Sequence, residues 1–448
     1  MDDASDTTTP AKKKKAKRAP QLFDLMEISR RYAVVYGSDQ ILDTRLMLYL
    51  KPNALRLAIG ADAYKSWFAD PLKRVVLPSQ IQFDPTKTCG VECINTFKGL
   101  PVAPVEGDCA DVLALLMHLV SESAPDEAGI SKVLNFVMDW MAYPLQHPGA
   151  KMASALVFHG PQGTGKNLFW EAYAKIFGDY ATVIGQAQLE SRYNDWASSK
   201  LFVIGDEIAA PNDQAHQKNA LKSLVTSESI QIDVKFQPLR TERNHANFVF
   251  LSNDNKPLAL ERDDRRYLVI YCPPKLTNGL YERVWQSLDA GAVEAFYAFL
   301  MMRDLSHFQP HTSPPMTTAK ADLVELGLRP AERFARVWLT REIDLPMRPC
   351  STGQLYKAFA AYCRMEGERH PTPQPYFTAA VGKYSRGRLS TKKASPSPHE
   401  VGSAIMLWMP AGTGPLEGVR WYDFAKDCVT TFELPLSRFC AGSRGGDQ

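Results

Sequence analysis

The chain has 448 residues, room for about two to four domains, and its 45% hydrophobic and 23% charged content fits globular domains with sizeable cores. Its apolar runs, such as residues 248–251, are far shorter than the roughly 18 residues of a membrane helix. No secretory apolar segment follows the N-terminus, and eight cysteines in so long a chain are no disulfide framework. These features exclude a helical membrane protein and point to a reducing, cytoplasmic compartment. The net charge of +3 lies entirely in residues 1–20, which carry Lys12, Lys13, Lys14, Lys15, Lys17 and Arg18 against three acids. The rest is balanced, which argues against a protein that coats nucleic acid through general basicity.

Residues 1–20 have almost no apolar side chains and read as a disordered basic tail. Residues 21–150 read as β-rich and then helical. Residues 32–36 and 40–42 flank Gly37-Ser38-Asp39 as a hairpin, and residues 55–59 and 75–77 read as further short strands. Val112, Leu115, Leu116 and Leu119 share one helical face, as do Val133, Phe136, Val137 and Trp140. Pro125 separates these helices, and Pro144 and Pro148 are expected to end the second.

From about residue 151 to 305 the pattern becomes short continuous apolar runs between helices: residues 155–158, 201–204, 246–251 and 267–270. Buried parallel strands read this way, so the core is expected to be α/β. Residues 306–330, with several prolines, read as a linker. Residues 331–448 read as a small α/β domain. Two helices, near residues 354–365 and 376–384, precede a basic loop holding Lys383, Arg386, Arg388, Lys392 and Lys393. A strand near residues 405–408 follows, and that order is winged-helix-like.

The sharpest motif is Gly160, Pro161, Gln162, Gly163, Thr164, Gly165, Lys166 and Asn167, set between a strand and a helical pattern. Glycines let successive backbone N–H groups converge on a phosphate, and the helix N-terminus adds its positive end. Lys166 reaches the β- and γ-phosphates of ATP. Asn167 stands where Ser or Thr is usual, and its amide oxygen is a candidate Mg²⁺ ligand. Asp206 and Glu207 follow the run 201–205. Asp206 is the candidate Mg²⁺ ligand and Glu207 the candidate general base for an attacking water. Asn253 ends a third apolar run and can bond the γ-phosphate or that water.

In order and compactness these motifs resemble the A, B, B′ and C motifs of superfamily 3 helicases, closest to the helicase part of phage- and plasmid-type primase-helicases. Residues 221–235, between the second and third motifs, fit the pattern, as do Phe83-Asp84-Pro85, Ile94-Asn95 and Gln146-His147-Pro148. The resemblance covers roughly residues 83–272. It implies an AAA+ ATPase and DNA helicase, with ATP and Mg²⁺, forming a homo-oligomeric ring, usually a hexamer, around single-stranded or forked DNA.

It also implies a hairpin over residues 230–245 that projects into the ring channel with Lys235, Arg240 and Arg243 as DNA contacts. An arginine finger, Arg265 or Arg266, would act on the neighbouring subunit's ATP. No polymerase-type acid pair stands out before the ATPase, so priming is expected from a separate primase or polymerase. The rival expectation is a non-translocating AAA+ initiator or loader that uses ATP as an assembly switch. A small-molecule kinase is disfavoured by Asn253 and the paired arginines. Cys89, Cys93 and Cys109 lack the spacing and histidines of a zinc site. Cys272, Cys350, Cys363, Cys428 and Cys440 are expected to be buried, and His216 and His245 to lie at the surface.

Overall fold

The computed structural model describes residues 25–208, 215–235, 239–255, 257, 264–395 and 404–442. The basic tail therefore lies outside the described residues. The chain forms two compact units, one built chiefly from residues 25–208, 216–255 and 265–315, the other chiefly from residues 316–442.

The first unit begins with helix Leu25–Arg31 and a four-stranded sheet. Strand Tyr32–Val35 pairs antiparallel with Ile41–Asp43 and parallel with Arg74–Val76, so the hairpin read from residues 32–42 is present. Arg31 donates to the carboxylate of Asp43 at 2.8 Å, tying the helix end to the second strand. The expected strand at residues 55–59 is instead part of helix Pro52–Ile59. Leu55, Leu57 and Ile59 alternate as a strand would, but Leu55 and Ile59 also stand four apart. Pro52 in the first turn favours a helix, and Leu57, on the far face, is 87% exposed.

Helices Ala110–Val120 and Glu127–Gln146 follow as expected. Pro144 does not end the second helix but sits inside its last turn: it gives up one helical bond, to the Trp140 carbonyl, and the helix still closes with His147 N–H donating to the Tyr143 carbonyl at 2.8 Å. Both helices pack on a five-stranded sheet whose order is Tyr267–Tyr271, Ala155–His159, Asn247–Ser252, Phe202–Asp206 and Ala181–Ile184, with every pairing parallel. The core around Ala155–His159 is strongly aromatic. Trp170 meets Trp140, Phe158, Phe169, Tyr173 and Phe202 at ring-centroid distances of 5.1–6.5 Å. Burying one such ring contributes about 4–6 kcal/mol before entropy is counted. Helices Leu280–Asp289 and Ala292–Met301 complete the unit. Residues 306–315 are not a bare linker: Phe308 is buried against Phe136, and the Pro310 carbonyl accepts from Ala153 N–H at 2.9 Å.

The second unit holds helices Thr318–Leu326, Pro330–Leu339, Thr352–Met365, Gln374–Tyr384 and Trp421–Gly442. The first of these falls in the stretch read as linker. Its signal was Thr317, whose side chain accepts from Lys320 N–H and caps the helix. Strand Ile405–Pro410 pairs antiparallel with both Cys350–Ser351 and Leu389–Ala394. Half of the expected basic loop is thus strand, with Lys392 and Lys393 both exposed on opposite faces of it. Among the described residues no helix is long and apolar enough to cross a membrane. None of the eight cysteines is disulfide-bonded, and Cys440 is only half-buried.

The entrance to strand Asn247–Ser252 is clasped by polar side chains. Asn247 is buried, accepts from Met152 N–H at 2.7 Å and donates to the Ala150 carbonyl at 2.9 Å. Lys151 donates to the carbonyls of Leu224 and Ala246, and Asn244 to those of Leu224 and Ser227. His245 is buried, not at the surface: its Nδ1–H donates to the Gly149 carbonyl at 2.7 Å. The sequence hides this, because an isolated histidine carries no periodicity. The side chain of His216 lies outside the described residues.

Asn247→Ala leaves the Met152 N–H and the Ala150 carbonyl unpaired, so unfolding in denaturant should show a loss of about 2–4 kcal/mol. A loss under about 1 kcal/mol would mean that water replaces the amide. Burial also lowers the His245 and His159 imidazoles below their ordinary 6.5, and neither Nε2 has a partner among the described residues. The unfolded chain takes up these protons more readily, so stability is full above pH 6.5 and falls as the pH drops below it. In His245→Asn the amide can still donate to Gly149, and the fall from there to about pH 5 should flatten. An unchanged pH profile of the midpoint would remove His245 from this role.

Candidate functional site

The four-residue hydrogen-bonded run from Ala155–His159 into strand Asn247–Ser252 puts Ser252 opposite His159. Strand Phe202–Asp206 lies on the far side of Asn247–Ser252, with Asp206 opposite Leu251. The loop after residue 159, the acids at 206 and 207, and Asn253 therefore meet at one end of the sheet. They line a cleft of about 440 Å³ with Gln162, Gly163, Thr164, Gly165, Lys166, Asn167 and Leu168. The acid strand is not adjacent to the loop strand; the strand carrying Asn253 intervenes.

That interposition gives Asn253 two partners. Lys166 Nζ donates to Asn253 Oδ1 at 3.3 Å, and Asn253 Nδ2 donates to Glu207 Oε1 at 3.1 Å. Glu207 itself has φ of +50°, a left-handed backbone rare for a side chain of its kind and typical of held functional residues. Lys166 is buried, and its ammonium also donates to the carbonyls of Gly160 and Pro161 at 3.0 and 2.8 Å and to the Thr164 hydroxyl at 3.3 Å. Burial lowers its pKa, and the Asp206 carboxylate opposes that shift. Among the described residues its hydrogen bonds go to neutral oxygens, so an anion in the cleft would complete its environment.

The loop's shape needs its glycines. Gly160 has φ of +140°, and a Cβ there would stand 2.5 Å from the Cys272 carbonyl oxygen. Gly165 has φ of +90°, caps helix Lys166–Lys175, and would press a Cβ to 2.8 Å from Leu115 and 2.9 Å from Tyr281. Such a cradle of left-handed glycines at a helix N-terminus, with a buried lysine, fits a nucleotide's phosphates. Asp206, half-buried, and Asn167, exposed, both offer oxygens to the same cleft and fit a hard cation such as Mg²⁺.

Lys275, Tyr281 and Trp285 also line the cleft and were not anticipated. They follow strand Tyr267–Tyr271, which runs beside Ala155–His159 with Tyr271 opposite His159 and carries the chain on past the loop. Lys275 reaches to 3.8 Å of where a Gly163 Cβ would be, and its Nζ sits 5.5 Å from the Tyr281 ring centre. No local motif marks them; only the sheet pairing brings them in.

The other candidates lie elsewhere. Strand Tyr267–Tyr271 begins just after Arg266, whose carbonyl accepts from Ala155 N–H at 2.7 Å. Arg265, exposed, and Arg266, half-buried, are thus at the opposite end of the strands, about 15 Å from the cleft along the strand. Asp263 lies outside the described residues.

The hairpin is present: Ser229–Ile232 pairs antiparallel with Arg240–Arg243, at the same remote end. Lys235 and Arg243 are exposed. Residues 237 and 238 of the expected tip lie outside the described residues. Arg240 is committed within the fold: its Nε donates to Glu242 at 2.7 Å and its Nη2 to the Ser198 hydroxyl at 3.0 Å. Arg240 remains exposed, and Glu242 offsets part of its charge.

A family model described as a family of unknown function (DUF5906) matches residues 158–266. That span holds almost every site residue read from the sequence and none of Lys275, Tyr281 and Trp285. A DNA primase-polymerase of Nitratiruptor phage NrS-1 is 31% identical over 230 residues, which are 49% of this chain and 30% of that protein. The chain thus spans less than a third of this relative's length. An apo structure of the NrS-1 C-terminal region superposes with a TM-score of 0.62 at 19% identity, covering 88% of this chain and 100% of that one. A further apo form gives 0.61 at 20% identity, with the same coverage. The chain therefore shares the α/β fold of that region.

Gly160→Ala should destabilise the chain by about 2–5 kcal/mol, since it combines left-handed strain with a clash against an unyielding carbonyl. Gly163→Ala, with nothing nearer than Lys275, should cost only the strain, about 1–2 kcal/mol. Thermal unfolding of both separates the two. Equal losses would show that the approach to Cys272 is not close in solution.

Proposed function

We propose that the chain is an ATP-driven DNA helicase of the superfamily 3, AAA+ type that acts in replicating a phage or related mobile element. One observation carries the reading: Lys166, Asp206, Glu207 and Asn253 line a single cleft at one end of three parallel strands. Similarity to a phage DNA primase-polymerase supports the replication role. That role belongs in the cytoplasm of an infected or element-bearing bacterium, beside a primase or polymerase activity.

On this reading the β- and γ-phosphates of ATP lie against residues 160–167, with Lys166 balancing their charge. Mg²⁺, when bound by Asp206 and Asn167, neutralises the triphosphate further. Glu207 takes the proton of the attacking water. Asn253, bonded to both Lys166 and Glu207, orients that carboxylate and registers the γ-phosphate. Arg265 and Arg266, remote from their own cleft, act on a neighbouring copy in a ring, one of them as the finger. Lys235 and Arg243 hold the phosphates of a single strand in the channel. The unit of residues 316–442, winged-helix-like, engages duplex DNA through its basic strand.

Strand displacement on a forked duplex tests this. Lys166→Ala should abolish ATP hydrolysis and displacement together. Glu207→Gln should keep ATP bound while turnover falls about 100-fold or more, because an amide cannot accept the water's proton. Unchanged turnover would remove Glu207 from the base role. Lys235→Ala should lower displacement and the salt slope of single-strand binding, by about 0.7, while basal hydrolysis persists. Full displacement by Lys235→Ala would remove Lys235 from the channel contact, whereas ATP hydrolysis without any displacement by the native chain would favour the switch-type AAA+ reading, in which ATP drives assembly without movement along DNA.

A further inference from the structure

Helix Leu280–Asp289 turns Leu280, Tyr281, Val284 and Leu288 into the core. Trp285 flanks that stripe and is 54% exposed, the most exposed of the chain's eight tryptophans. A single exposed aromatic is ordinary on a protein surface. This one borders the phosphate-loop cleft, beside residues 162–168.

Its position is fixed through Tyr281, one turn earlier on the same helix. The Tyr281 hydroxyl accepts from Leu276 N–H at 3.1 Å and donates to the Thr164 carbonyl at 3.4 Å. Its ring stands against Gly165. The helix is thereby pinned to the loop, and the indole is held on the Tyr281 side of the cleft. Asp206, Glu207 and Asn253 gather on the Lys166 Nζ side, as the Lys166–Asn253–Glu207 bonds require. A triphosphate seated on the loop has its terminal phosphate toward those groups and its remaining end free to run toward Trp285. The cleft's 440 Å³ is ample for more than phosphates.

We propose that Trp285 is the stacking wall for the base of a nucleoside triphosphate, with Tyr281 as its positioning residue. The proposal rests on the phosphate-loop reading above. An indole face stacks on any base, since every base presents a π-face, so discrimination between ATP and GTP should be weak and both should exceed pyrimidine nucleotides.

The test compares binding of Mg-ATP and of Mg-tripolyphosphate, which lacks a base, by calorimetry on the full chain. Trp285→Ala should weaken ATP about 5- to 100-fold and leave tripolyphosphate unchanged. Trp285→Phe should restore most of the ATP affinity. Equal loss for both ligands, or no loss for either, overturns the proposal.

Fluorescence gives a second readout independent of tripolyphosphate affinity. ATP should quench the native emission, and the quench should vanish in Trp285→Phe while ATP still binds. A quench that persists there also overturns it. If Lys166→Ala leaves the binding of both ligands intact, the phosphate-loop reading itself has failed, a result distinct from either outcome at Trp285.

Discussion

Strand Asn247–Ser252 lies between the loop strand and the acid strand, hydrogen-bonded to both, and the geometry of the site follows from that position. A parallel ladder fixes register along its length, so the side chain just past its end has one place to go. That side chain is Asn253, an amide with an acceptor for Lys166 and a donor for Glu207. A carboxylate there would offer Glu207 no donor, and an apolar residue would leave the buried lysine with one acceptor fewer. The interposed strand thus links two groups that a direct pairing of loop and acid strands would have set side by side without a bridge.

The same strand has a second end. Its six residues span about 20 Å, and its entrance is the polar clasp made by Lys151, Asn244, His245 and Asn247. The hairpin of residues 229–243 leaves from that clasp. A buried anchor that holds this many backbone groups by hydrogen bonds is stiff, because any displacement unpairs them away from water. The strand therefore joins the cleft to the hairpin as a rigid element. In the proposed motor, that rigidity is what relates the state of the γ-phosphate to the position of Lys235 and Arg243.

The cleft is closed on its other side by the segment that follows the last strand. Pairing of Tyr267–Tyr271 with Ala155–His159 brings Cys272 so near Gly160 that only glycine fits, and carries Lys275, Tyr281 and Trp285 to the loop. Loop conformation and the placement of this wall are consequences of one contact. Arg240 and Arg243 are both exposed on the hairpin, and Arg240 is paired there with Glu242.

The hairpin was implied by the resemblance to superfamily 3 helicases; by itself the sequence determined the four parallel-strand apolar runs, the glycine loop with Lys166, the acids at 206 and 207, and Asn253. Each rests on local chemistry: continuous apolar runs suit strands buried on both faces, and phosphate loops need glycine and lysine at set spacing. Residues 55–59 misled because apolar positions four apart satisfy both a strand and a helix, and the deciding residue, Pro52, lay outside the window. Phe308 and Thr317 were masked by the prolines around them.

Only the tertiary structure decided that the Asn253 strand separates the loop from the acids, that Arg265 and Arg266 lie far from their own chain's cleft, that His245 is buried, and that Trp285 borders the nucleotide-sized cleft. Strand order and long-range pairing arise from packing between segments far apart in the chain. No spacing within a single segment encodes which neighbour a strand will choose.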